Sequence, residues 1–141
     1  VFARGIATTT RYTDRKGNPV EVAKLPQGTE FVATITVRNQ SAEFVDNLAL
    51  SHIVPSGWEI VNTRFTEFGD ATANNVTYSD IRDDRTNLYF ALKAGEIRVF
   101  RVLLNASYPG TFYLPGTQCE AMYDNSYASR TRGQWVTVIR K

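Results

Sequence analysis

The run Ile97-Arg98-Val99-Phe100-Arg101-Val102-Leu103-Leu104-Asn105-Ala106 decides the fold class. Taken with a period of two, it sets Ile97, Val99, Arg101 and Leu103 on one face and Arg98, Phe100, Val102 and Leu104 on the other. A strand apolar on nearly both faces belongs in the middle of a sheet. The residues after it are punctuated for turning. In Tyr108-Pro109-Gly110 a fixed φ precedes a residue free to take φ > 0, so the chain can reverse into Thr111-Phe112-Tyr113-Leu114. Pro115-Gly116 then breaks or bulges the next strand. Beyond it Cys119, Ala121 and Tyr123 alternate with Gln118, Glu120 and Met122, and Gln134 to Ile139 forms a last, β-branched strand.

The same grammar extends back to the start of the chain. Ile6 to Tyr12 is rich in β-branched residues and is followed by the polar turn Asp14-Arg15-Lys16-Gly17-Asn18-Pro19. Val20 to Leu25 is read as a short returning strand. Phe31 to Asn39 carries the cleanest alternation, with Phe31, Ala33, Ile35 and Val37 on one face. Leu48 to Val54 alternates again, stops at Pro55-Ser56-Gly57, and is followed by Trp58 to Val61. Thr66 to Asn75 is loop-like, Val76-Thr77-Tyr78 leads into a charged knot, and Leu88 to Leu92 precedes a turn at Lys93-Ala94-Gly95. No long window carries a helical period, and strands recur about every 8 to 15 residues, as in an all-β antiparallel sandwich. The apolar strand positions expected in its core include Phe31, Ile35, Leu50, Leu88, Phe90, Val102, Leu104, Phe112 and Val138.

At 141 residues and 43% hydrophobic content, the chain suits one domain spanning residues 1–141 with one core. Its net charge of +2 comes from 16 basic and 14 acidic residues spread along the sequence, which gives no patch for nucleic acid or an anionic membrane. The longest apolar runs fall far short of the roughly 20 residues of a membrane span, so direct membrane insertion is not expected. Starting at Val1 without a leader, the sequence reads as an excised domain or mature fragment. Cys119 is the one cysteine, so stability must come from packing rather than an internal disulfide.

Few residues invite chemistry. His52, the sole histidine, lies inside a strand with no second histidine to share a metal, and a structural role is expected. Cys119 lies in an alternating strand, where a small buried thiol is the usual finding. Phosphate-cradling glycine patterns do not occur, and no cofactor or catalytic residue is expected. The dense polar constellation is Asp80-Ile81-Arg82-Asp83-Asp84-Arg85. Its interleaved arginines oppose a calcium ion's charge, and a carboxylate acid/base pair would need unequal environments that no other motif supplies. Two guanidiniums and two carboxylates in four residues cannot all pair with one another, so partners are expected elsewhere. The expected structural cluster comprises Arg82, Asp83, Asp84, Arg85, Tyr123 and Asp124.

The order Gly17-Asn18-Pro19-Val20, Val37-Arg38-Asn39, Val54-Pro55-Ser56-Gly57-Trp58-Glu59-Ile60, Arg82-Asp83-Asp84-Arg85, Tyr108-Pro109-Gly110-Thr111-Phe112-Tyr113-Leu114-Pro115 and Glu120-Ala121-Met122-Tyr123-Asp124 resembles the C-terminal macroglobulin (MG10-like) domain of bacterial alpha-2-macroglobulins. The resemblance implies an immunoglobulin/fibronectin-like β-sandwich from the C-terminal part of a large protease trap of the periplasm or cell envelope. It also implies neighbouring domains of the parent chain as direct partners and target proteases as indirect ones. The family's thioester does not come with it: that ring needs Cys-x-x-Gln, and Met122 stands three residues after Cys119. A stand-alone, adhesin-like surface sandwich is the alternative reading of the Val37-Arg38-Asn39 strand end and the Pro55-Ser56-Gly57 turn.

Overall fold

The computed structural model describes residues 2–62, 78–82, 85–122 and 124–140, with the backbone alone for 2–4, 62, 78–82 and 124–126. The described residues hold no helix, and hence none long and apolar enough to cross a membrane. The strands are β1 (Phe2–Arg4), β2 (Ile6–Thr13), β3 (Lys24–Pro26), β4 (Glu30–Asn39), β5 (Val45–Ile53), β6 (Trp58–Asn62), β7 (Tyr78–Arg82), β8 (Arg85–Leu92), β9 (Ile97–Ala106), β10 (Gly110–Leu114), β11 (Gln118–Ala121), β12 (Asp124–Arg130) and β13 (Gln134–Ile139). They form a four-stranded sheet in the order β2-β4-β9-β6, a six-stranded sheet β1-β12-β11-β5-β8-β7 and a three-stranded sheet β10-β13-β3.

The doubly apolar β9 is interior, between β4 and β6, as its pattern requires. Its inner side carries Arg98, Phe100, Val102 and Leu104, all buried, while Leu103 of the opposite face is also nearly covered. Arg98 is tolerated because its guanidinium lies 3.1 Å from the Glu96 carboxylate. Burial works against ionisation of Glu96, but the Lys93 N–H and the Arg98 guanidinium outweigh it and hold this carboxyl below its ordinary value.

After β9 the chain changes sheets. Ser107 N and Tyr108 N donate to Gly57 O at 2.9 and 3.0 Å, and Gly110 takes φ +143°, sending β10 away to pair with β13. Tyr108-Pro109-Gly110 is therefore a corner between sheets rather than a hairpin. Gly116 marks the next change, from the three-stranded to the six-stranded sheet, at a place where a Cβ would fall 1.8 Å from Thr131 O. The polar turn after β2 is built as read: the Asp14 carboxylate accepts from Lys16 N at 2.8 Å and Asn18 N at 3.0 Å, with Gly17 at φ +94°.

The all-β sandwich is as expected, and three details refine it. β3 runs parallel to β13, with Lys24 opposite Thr137, so one pair departs from the antiparallel rule. Asp80-Ile81-Arg82 belongs to strand β7 rather than a knot, held by β8 at the sheet edge. The single expected core divides in two, because two different sheets cover the inner face of the four-stranded one. Ile35, Val37 and Phe100 pack with Leu48, Leu50, Leu88, Phe90 and Cys119 of the six-stranded sheet. Phe31, Ala33, Val102 and Leu104 pack with Trp58, Leu114, Val136 and Val138, largely under the three-stranded sheet. All the expected core positions are buried except Phe112, which is partly buried against the second cluster.

Candidate functional site

The six residues expected to form one polar cluster fall partly outside the described residues. Nothing is described of Asp83, Asp84 or Tyr123, and of Arg82 and Asp124 only the backbone is. The register nevertheless separates the two motifs. Arg85 stands opposite Ile53, whereas Asp124 stands opposite Ala121, which faces Leu48 and through it Phe90. The two ends therefore differ by five residues along β8 and, because β5 and β11 intervene, by three strand spacings across the sheet. That amounts to on the order of 20 Å between the two backbone positions.

The polar residues that do converge lie where the two clusters meet. β5 turns His52 inward between Leu50 of one cluster and Val54 of the other. Its Nε2 is 3.3 Å from the Tyr12 hydroxyl on β2, and Thr86 of β8 is its cross-strand neighbour. Tyr12 in turn meets Trp58 edge-on at 5.7 Å, and Trp58 meets Phe31 at 4.8 Å. Burial drives the His52 pKa down to about 4 and pushes the Tyr12 phenol up, so both are neutral at pH 7. His52 Nδ1, Trp58 Nε1 and Thr86 Oγ1 are buried without a hydrogen-bond partner among the described residues. His52, Thr86 and Trp58 are almost wholly covered, so the group packs the junction between the two clusters, with no carboxylate beside the imidazole among these side chains.

Along β2 the neighbouring polar side chains are satisfied. Thr8 hydrogen-bonds Ser129, and Thr10 bonds Thr117 at 2.8 Å, stitching the four-stranded sheet to β12 and to the residue just before β11. A cleft of about 300 Å³ follows this seam, lined by Thr8, Thr10, Tyr12, Leu114, Thr117 and Gln134 among others. Of its hydroxyls, that of Tyr12 meets His52 Nε2 at 3.3 Å, while those of Thr8 and Thr10 bond Ser129 and Thr117. Cys119 is buried, and burial, assisted by Glu120, raises its thiol pKa to about 12, which suits a packing role. Among the described residues no three His, Cys, Asp or Glu side chains gather as metal ligands.

One buried polar residue escaped the sequence reading. Asn39 is fully covered, donates to Glu43 O, Leu92 O and Lys93 O, and accepts from Ser41 N and Oγ. It ties the β4–β5 connection to the β8–β9 turn. Its place as the last residue of an alternating strand, on the inward parity of Ile35 and Val37, was the available signal.

Compared with known protein families, residues 5–125 match the bacterial alpha-2-macroglobulin MG10 domain. The chain belongs to that family. An alpha-2-macroglobulin of Rickettsia conorii is 28% identical over 128 residues, which is 87% of this chain but 7% of the relative. Among solved structures, this MG10 domain superposes on the native conformation of Escherichia coli alpha-2-macroglobulin with a TM-score of 0.88, at 15% identity, covering 99% of this chain and 10% of that one. It superposes on E. coli alpha-2-macroglobulin activated by porcine elastase with a TM-score of 0.81, at 18% identity, covering 97% and 13%. The macroglobulin β-sandwich is thus the fold of this chain, which spans less than a tenth of the curated relative's length.

Proposed function

We propose that this chain is a non-catalytic packing and interaction domain from the C-terminal part of a bacterial alpha-2-macroglobulin, contributing to broad-spectrum inhibition of endopeptidases by the full-length protein. The match of residues 5–125 to the MG10 family carries this reading. The packing junction at His52 fits it, since it offers structure rather than a reaction centre. The E. coli relative activated by elastase supports a protease as the distant partner, with other domains of the parent as the immediate ones. The periplasm or cell envelope is the compartment that accompanies this reading.

The test compares two preparations. The full-length parent, incubated with trypsin-like and elastase-like proteases, should protect a protein substrate from cleavage; the 141-residue chain should neither inhibit nor cleave. Stoichiometric inhibition by the short chain, or a full-length parent that leaves protein substrates unprotected, would overturn the assignment.

A further inference from the structure

The outer face of the three-stranded sheet carries an exposed aromatic pair. Antiparallel sheets of sandwiches normally turn polar side chains outward. The outer side of the four-stranded sheet is mixed, with Thr34, Thr36, Arg38, Arg101, Asn105 and Glu59 interspersed among Val32, Ile97, Val99 and Leu103. On the three-stranded sheet the same parity puts Thr111 and Tyr113 of β10 beside Trp135, Thr137 and Ile139 of β13. Trp135 is 65% exposed, Tyr113 50% and Ile139 43%. Tyr113 and Trp135 are cross-strand partners with rings in edge contact at 5.3 Å, so the pair is already ordered. Lys24 of β3, opposite Thr137, is the one charged side chain that the register places on this face.

We infer that this aromatic face is a docking surface for another domain of the same longer chain, with Trp135 and Tyr113 as its anchors. The inference rests on the functional reading above in one respect, that the domain works inside a larger protein. The relatives leave more than nine tenths of their length outside the matching segment, so such a domain is surrounded by covalently linked neighbours. An ordered Trp–Tyr pair suits that partner: it offers a large contact area while little side-chain freedom remains to be lost on docking. A face with one cation and no carboxylate calls for an apolar partner patch, with a carboxylate or carbonyl oxygen within reach of Lys24.

Hydroxyl-radical footprinting of the native full-length chain, normalised to the same chain in urea, tests this. Trp135 and Tyr113 should be protected about fivefold or more relative to Phe44, whose side chain is 61% exposed on the β4–β5 connection. Equal labelling of Trp135 and Phe44 would overturn the inference. So would protection of Trp135 in the 141-residue chain by itself that grows with concentration, since a second copy would then be the occupant. As a second measurement, the double variant Tyr113→Gln/Trp135→Gln in the full-length chain should release this domain several-fold faster under limited trypsin treatment, whereas Phe44→Gln should not. Protease inhibition by the same preparation reports on the functional reading separately: its absence with Trp135 still protected defeats that reading and leaves this inference standing.

Discussion

The inner face of β4 is packed in two ways along its length. Its Ile35–Val37 half faces aliphatic side chains from β5 and β8, with Phe90 and Phe100 at 5.1 Å and the buried Cys119 among them. Its Phe31–Ala33 half faces Trp58 and Tyr12, and the border between the halves is occupied by His52 and Thr86. The first half is an area-driven core, and the buried Asn39 at its end is fully matched. The second gains aromatic area but carries three buried polar atoms unmatched among the described residues. Burying apolar area is forgiving of detail, whereas each unmatched polar group costs about 1 to 3 kcal/mol and makes its surroundings sensitive to pH and shape.

The sharpest way to break the comparison is to hollow the first half. Phe90→Ala should cost about 3 to 5 kcal/mol by urea denaturation, and a loss below about 1 would mean this half is not the main source of stability. Acid should attack the second half instead. His52 has its folded pKa depressed to about 4 from an ordinary 6.5. The unfolded chain therefore binds the proton first, and stability present above pH 6.5 drains away as pH falls to about 4. The loss should amount to about 3 kcal/mol, and His52→Phe should flatten the denaturation midpoint across that window; an unchanged slope refutes the assignment. A smaller effect separates matched from unmatched hydroxyls. Thr86→Val should be neutral or stabilising by up to about 1 kcal/mol, whereas Thr8→Val, which strands Ser129, should destabilise by about 1 to 2, and thermal melts of the pair should move in opposite senses. Least visible in stability, but informative, is Cys119: an aromatic disulfide reagent should label it at pH 8 only as fast as the chain unfolds, since burial keeps the thiol protonated. Rapid labelling of native protein would show the first half to be open.

The sequence disclosed those parts of the fold in which neighbouring residues carry the pattern. β9 and β13 have the bounds expected, because a long apolar alternation and a β-branched run each state their own burial. β12 was not legible: Asp124 to Arg130 is mostly polar and contains no Val, Ile or Thr, and it becomes a strand because β1 and β11 bracket it. The charged stretch of β7 misleads for a related reason, since an edge strand has no obligation to be apolar. Partner choice lies still further from local pattern. Nothing around Lys24 announces a parallel partner at Thr137, and nothing around His52 names Tyr12 or Thr86. The expected polar cluster meets the same limit: charge balance shows that partners are needed but not which strands stand between them, here β5 and β11 between Arg85 and Asp124.

The parallel β3–β13 pair also constrains how the molecule is made. A ribosome delivers Lys24 early and Thr137 about 110 residues later, an interval on the order of ten seconds at ordinary translation speed. Throughout that time β3 has no strand to join, and Leu25, buried in the finished protein, lacks the Val138 it will lie beside. The four-stranded sheet can assemble once β9 has left the exit tunnel, but the cover over its Phe31 half must wait for the last strand. Nascent chains stalled just before Gln134 should therefore expose that half to chaperones while the Ile35 half is already closing.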